Sequence, residues 1–429
     1  MSKYVAITLG MFAFGFAELL ITLSISLGVT STVSNGVIRS LTAGLAAICI
    51  WQSRLTPKQK LDQLRVRNKI QSSRSKRVCQ LRVLAVLLWT LYVSRIVYNV
   101  VVLETPTLNK IPVYLLLSSV SLLFFFAGSK LSLRRIDDLL RGITIGGSVF
   151  CGSIWLVHGK VVKEYGRLLV GQEDNYGLDV GIIFANPLIV AYFGASLSLI
   201  GIAKALNKPG KWELLLASGL ICLGLLSLFS GSSRGATVGA LLGGFALIFG
   251  QLKRNSIKAL GMTFLLAWPV VVGVFYFIQF SGTNLLERIE LTSDTNNITR
   301  IDIWSAGVKI FLESPFVGST FEIMDYGVYP HNLLLESLMA VGLLGSWLFM
   351  ALLGAGIFGV IRCLGKSAAI DSICSLFIVY LVGSFFSGSF YGSVVFWLML
   401  GAILSLQSRC RKEWRVTLRV PRARSKGRH

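Results

Sequence analysis

Three side chains in the second half of the chain have the character needed for anion stabilisation and proton transfer. They are Arg234 in "SGSSRGATVGALLGG", Arg300 opening "RIDIWSAGVKIFLESP", and His331 in "YPHNLLLESLMAVGLLG". A guanidinium is a planar, permanent cation that grips phosphate oxygens through parallel N–H donors, and the glycines beside Arg234 allow close backbone approach. A histidine trades protons near neutrality. His331 also precedes an apolar helix, whose unpaired N–H groups and dipole favour an anion. Each residue has a plainer reading: Arg234 as an interfacial anchor, Arg300 as a solvated helix end, His331 as a cap.

Arg288, with Glu287 and Glu290 beside it, is a weaker anion candidate. Arg95 has Tyr92 and Tyr98 nearby, and is either an anion ligand or a structural hydrogen-bond hub. Glu336, five residues after His331, is either a helix-packing polar group or the partner of an arginine. No Asp-x-Asp pair occurs in an expected outer loop, and the adjacent Asp137 and Asp138 fall on the expected inner side. A metal-independent site without cofactors is the expectation.

The elements that must position these residues are helices in a membrane. With 54% hydrophobic and 14% charged residues over 429 positions, the chain is too apolar to hide its side chains in one soluble core. Apolar stretches long enough to cross a bilayer fall at 4 to 27, 36 to 51, 83 to 104, 111 to 128, 140 to 157 and 179 to 203. Six more fall at 212 to 230, 235 to 251, 258 to 280, 332 to 360, 369 to 387 and 392 to 407. The expected fold is an all-α integral membrane protein of about 12 transmembrane helices. It is one polytopic domain over 1–429, its first helix retained rather than cleaved as a signal peptide.

The formal charge of +22 reads as a topology signal. With the amino terminus inside, most of the 42 Lys and Arg fall on the cytoplasmic side, concentrated in a basic loop at 52–82 and a basic tail at 408–429. Anionic membrane lipids are the expected contacts of these segments, and nucleic acid is not. The seven cysteines lie in spans or on the inner side, which implies no disulfide framework.

The one long outer insertion is 281–331, the large periplasmic loop of this topology, and a loop of that length in a compact protein is functional or disordered. Within it Ile301, Trp304, Val308 and Phe311 recur at helical spacing and Pro315 supplies a stop. That predicts an amphipathic helix lying along the membrane surface. A second outer loop, 158–178, is placed to cover it.

In order, the "SRG" turn at Ser233 to Gly235, "R-x-x-x-W" at Arg300 to Trp304, "SPFVGSTFE" at Ser314 to Glu322 and "HNLLLESLMAVGLLG" at His331 to Gly345 resemble the O-antigen ligase and polymerase family. The resemblance covers about the last half of the chain. Ser319 stands where such proteins often carry a second glycine.

The resemblance implies a GT-C-like glycosyltransferase of the bacterial inner membrane, working at the periplasmic face on glycan linked to undecaprenyl pyrophosphate. The family's two functional arginines fall on Arg234 and Arg300 and its histidine on His331. Arg288, Arg95 and Glu336 are further candidate contacts to pyrophosphate or glycan. The acceptor is a lipid-linked repeat unit if the protein is a polymerase, the preferred reading, or lipid A core if it is a ligase. A chain-length regulator is a further partner that this reading leaves room for. The alternative from another class is a polytopic transporter or lipid-linked glycan flippase. Transporters place ionisable groups near the bilayer midplane, whereas the notable groups here gather at one face.

Overall fold

The computed structural model describes residues 3–20, 31–52, 79–99, 101, 111–165, 168, 186–207, 210–254, 300–323 and 326–417. These form α1 (Lys3–Met11, continuing through a π turn at Phe12–Phe16), α2 (Ser31–Gln52), α3 (Cys79–Asn99), α4 (Ile111–Gly128), α5 (Leu133–Tyr165) and α6 (Pro187–Ala205). There follow α7 (Lys211–Ser230), α8 (Arg234–Arg254), α9 (Arg300–Glu313), α10 (Leu333–Cys363), α11 (Ala368–Ser387) and α12 (Val394–Thr417). Among the described residues there is no strand, only an isolated bridge between Ile323 and Val328.

Seven of the helices, α3, α5, α6, α7, α8, α10 and α11, are long and apolar enough to cross a membrane. Shorter apolar helices at Lys3–Phe14, Val37–Ile48, Tyr114–Gly128 and Val394–Gln407 coincide with four more of the expected spans. The stretch 258 to 280, Arg288 and most of the basic loop and tail lie outside the described residues. Helices make up almost all of the described residues, and the chain is a multi-pass membrane protein.

Three boundaries depart from the sequence reading. The fifth span runs to Tyr165, so residues 158–165 continue a helix instead of opening a loop, and His158 is buried on it. The last helix extends to Thr417, into the stretch read as tail. The tenth expected span is interrupted: Gly342 has φ 61° and ψ −167°, which breaks α10 into two pieces.

That break has its backbone groups satisfied from a neighbouring turn. Leu343 N–H donates to the Pro315 carbonyl at 2.8 Å, and Ser319 N–H donates to the Met339 carbonyl at 2.8 Å. Gly318, at φ 71°, lies where a Cβ would meet the Met339 carbonyl at 2.5 Å. Two glycines of the "SPFVG" and "AVGLLG" segments thus let two backbones touch, which is how non-helical backbone survives at membrane depth. Ser319 makes its bond without a left-handed φ, so a second glycine is not needed there.

The helices pack in pairs, α6 on α7, α8 on α11, α4 on α12, α1 on α5 and α9 on α10. Small residues bring backbones together, as where Gly194 of α6 faces Gly224 of α7. Under the end that carries Arg234, Arg300 and His331 lies an aromatic core. Trp89 and Trp397 meet edge-on at 4.2 Å, and the Trp397 indole donates to the Phe390 carbonyl at 3.0 Å. Edge-to-face contact with a satisfied N–H is the favoured arrangement for buried tryptophan.

Candidate functional site

Arg234, Arg300 and His331 each stand at the start of a helix. Arg234 is the first residue of α8, capped by Ser233, whose Oγ accepts from Ala236 N–H at 3.3 Å. Arg300 opens α9. His331 precedes α10, but Asn332 is its cap, accepting from the N–H groups of Leu334 and Leu335 at 3.0 and 3.1 Å. The histidine ring is therefore free of capping, and among the described residues it makes no hydrogen bond. Three helix amino termini, each with its positive dipole end, accompany the three candidate residues.

Other residues connect them. Gly235, next to Arg234, lies where a Cβ would stand 2.7 Å from the Tyr192 hydroxyl and 3.1 Å from Phe386 Cβ. The Arg300 guanidinium reaches Ser387 Oγ, the residue after Phe386, at 3.5 Å. The charge of Arg300 also acts on Tyr192, Tyr329 and His331. The end of α11 and the Tyr192 ring of α6 thus join the two arginines. Both are exposed, and neither forms an ion pair among the described residues.

The motif "R-x-x-x-W" has a physical basis. Four residues is about one helical turn, so Arg300 and Trp304 share a face of α9. Trp304 donates its indole N–H to the Pro330 carbonyl at 3.0 Å. The helix that carries the cation therefore fixes the residue adjoining His331.

The face of α9 turned to the protein centres on Ile303 and Gly307, with Trp304 and Phe311 of the periodic apolar set beside it. Ile303 and Gly307 are buried and Trp304 and Phe311 half-buried, whereas Ile301 is 71% and Val308 45% exposed. The reason is Gly307, whose missing side chain admits Leu335 and Met339 of α10, within 2.9 and 3.0 Å of where a Cβ would be. The exposed apolar stripe fits a helix bordering lipid.

His331 is the more unusual for its backbone. Its φ is 54°, and the only other non-glycine residue with positive φ among those described is Ser232, at 45°, two residues before Arg234. Left-handed non-glycine residues store strain and cluster at functional sites. Both here adjoin or form the candidate site. The His331 ring packs at 4.2 Å from Tyr329, which in turn meets Tyr391 at 5.8 Å. Burial and then the Arg300 charge hold the imidazole below its ordinary pKa, so it is neutral and able to accept a proton at pH 7. Burial pushes the Tyr329 hydroxyl up to about 12, which keeps it protonated.

Arg95 and Glu336 are engaged elsewhere. Arg95 donates Nε to the Ala340 carbonyl at 2.9 Å and Nη2 to the carbonyls of Val317 and Gly318 at 2.8 and 3.0 Å. Its guanidinium fastens the break in α10 to the 315–319 turn, the geometry of the hub reading. Glu336 is fully buried, accepting from the Tyr92 hydroxyl and, at 2.8 Å, from Phe390 N–H. It packs α10 against α3 and the turn before α12, and no arginine among the described residues is its partner. Arg288 lies outside the described residues.

Sequence reasoning missed Tyr192, Tyr329, Ser387 and Tyr391. For Ser387 a signal existed: "FSGSSRG" at 229–235 has an echo in "FSGSFYG" at 386–392, and both turns lie at this end of the bundle. The tyrosines had none: Tyr192 lies in an apolar span, where aromatic residues are mostly core, and Tyr329 and Tyr391 carry no charge to mark them.

Residues 217–350 match the family model described as O-antigen ligase. The matched segment contains Arg234, Arg300, His331 and the break at Gly342, and leaves out Arg95, Tyr192 and Ser387. No curated protein matches the chain. The match supports an O-antigen ligase and polymerase family assignment and a membrane glycan ligase or polymerase type of activity, with a lipid-linked glycan and an acceptor as its substrates in general.

Proposed function

Taking the O-antigen ligase family match of residues 217–350 as its premise, we propose that the chain transfers glycan from a lipid diphosphate carrier to a sugar hydroxyl, acting as a surface polysaccharide polymerase. The donor in this reading is glycan on undecaprenyl pyrophosphate, and the reaction face is periplasmic. Arg234 and Arg300 hold the diphosphate. His331 takes the proton of the acceptor hydroxyl as its oxygen bonds to the anomeric carbon, while the bond from that carbon to the diphosphate oxygen breaks. The carrier leaves as the diphosphate and the proton passes from His331 to solvent.

The observation that carries this reading is the shared scaffold of cation and base. Arg300 and Trp304 lie on one helix, Trp304 holds Pro330, and Arg300 acts on the imidazole of His331. Negative charge develops on the diphosphate as the bond breaks, and preorganised cations aimed at it stabilise the transition state. Two guanidiniums suffice for this without a metal. A general base at the hydroxyl adds about 10²- to 10⁴-fold.

The matched family, O-antigen ligase, favours a second reading, transfer of a finished chain to lipid A core. The same residues serve both, because both acceptors are sugar hydroxyls. Purified protein given lipid-linked repeat unit alone separates them: a ladder of longer glycans supports the polymerase, and product formed only after lipid A core is added supports the ligase. Movement of lipid-linked glycan into sealed vesicles with no glycan transfer would replace both with a transporter.

A further inference from the structure

Tyr192 is an anomaly among the buried tyrosines of this bundle. Tyr92 donates to Glu336 and Tyr114 to Glu322, and the hydroxyls of Tyr380 and Ser196 lie 3.1 Å apart. The Tyr192 residue is 9% exposed, and its Oη is buried without a hydrogen-bond partner among the described residues. The Ser233 hydroxyl is close enough to favour the Tyr192 oxygen as a donor, but no bond of good geometry joins them, and the Tyr192 O–H proton is left without an acceptor among the described residues. An unsatisfied buried donor is costly and calls for an explanation.

Its surroundings point to one. Two glycines clear the space around the ring: a Cβ on Gly235 of α8 would stand 2.7 Å from the hydroxyl, and one on Gly383 of α11 would stand 2.6 Å from the ring. The hydroxyl is thereby held against the backbone beside Arg234. The charge of Arg300 also acts on it, and that side chain is exposed and tethered to Ser387 by one long contact of 3.5 Å. A phosphate oxygen drawn to the two arginines arrives where this donor lacks an acceptor.

We propose that the Tyr192 hydroxyl donates a hydrogen bond to the diphosphate held by Arg234 and Arg300, reached as Arg300 swings from Ser387 onto the anion. The inference rests on the anion-site reading of those arginines. It adds a neutral donor contributed by α6, outside the segment that the family model matches. A donor held dry and preoriented toward an anion is the arrangement that strengthens on ligand binding without reorganisation.

The test uses full-length protein in detergent and farnesyl diphosphate as the probe, with wild type, Tyr192→Phe, Arg234→Ala and Arg300→Ala compared by calorimetry. Phenylalanine keeps the ring against Gly383 and deletes only the hydroxyl. The expected result is affinity for the probe weakened by about 10- to 100-fold in Tyr192→Phe, the range for a hydrogen bond to a charged group, with an unliganded melting temperature no lower than wild type. Unchanged affinity in Tyr192→Phe, with binding lost in the arginine variants, would overturn the inference and leave the anion site standing. A lower melting temperature in unliganded Tyr192→Phe would also overturn it, because the hydroxyl would then have a partner within the fold. Wild-type affinity in both arginine variants would overturn the anion-site reading itself.

Discussion

The indole N–H of Trp304 donates to the carbonyl of Pro330 at 3.0 Å, across 26 positions of sequence. This bond joins the helix that presents Arg300 to the residue adjoining His331, and so sets the spacing of cation and base. Trp304→Phe keeps most of the packing and removes the donor. Its expected cost to the fold is about 1 kcal/mol, read as a small fall in melting temperature. Glycan transfer should fall at least about tenfold, since small misplacements of reacting groups cost more than that. Transfer at the wild-type rate would show that the bond does not position His331.

His331 combines a chemical role with a strained backbone, and two substitutions separate them. His331→Ala and His331→Gly should both lose about 10²- to 10⁴-fold in transfer. Glycine adopts the left-handed conformation freely, so His331→Gly should be more stable than His331→Ala by about 1 kcal/mol, read from paired melting curves. Ser232→Gly should likewise raise the melting temperature, as the other left-handed non-glycine residue among those described.

The pH profile reports on the Arg300 charge. Burial and Arg300 both lower the pKa of His331, so the acid limb of kcat/KM should fall below the ordinary histidine value. Protonation in that range abolishes the base, and activity is lost as pH falls through the lowered pKa. In Arg300→Gln the charge is gone while burial remains, so the limb of the residual activity should move to higher pH. A limb that stays in place or moves to lower pH would remove Arg300 from the surroundings of His331.

Arg95 and Arg234 should part company under substitution. Arg95 fastens the broken α10 to the 315–319 turn through three carbonyls, so Arg95→Gln should lower the melting temperature by releasing the turn and taking the donor from the Ala340 carbonyl at the break. Arg234 is exposed and makes no ion pair among the described residues, so Arg234→Lys should melt as wild type does and fail in transfer, because an ammonium cannot replace the planar fork. Thermal unfolding and transfer assays on the same preparations decide both.

Much of this arrangement was legible in the sequence, and what was not has physical causes. The spacing of Ile301, Trp304, Val308 and Phe311, with Pro315 after them, located α9 to its described bounds, Arg300–Glu313. Its contact with α10 through Ile303 and Gly307 was not legible, because a glycine gives no apolar signal where it is the point of closest approach. The interruption at Gly342 was hidden in an unbroken apolar run, since only a backbone angle reveals it. Arg234, Arg300 and His331 were visible because few cationic or titratable residues fall on the expected outer side of so apolar a chain. Tyr192 and Tyr391 lie in apolar surroundings, so only the structure distinguishes them from core residues.

The most direct test of the account is glycan transfer by purified protein reconstituted with its lipid-linked repeat unit, with wild type, His331→Ala and Arg234→Lys compared on one gel. A ladder from wild type, its absence from both variants and equal melting temperatures for all three are the predicted result. A wild-type ladder from His331→Ala or from Arg234→Lys, with the fold intact, would contradict the account.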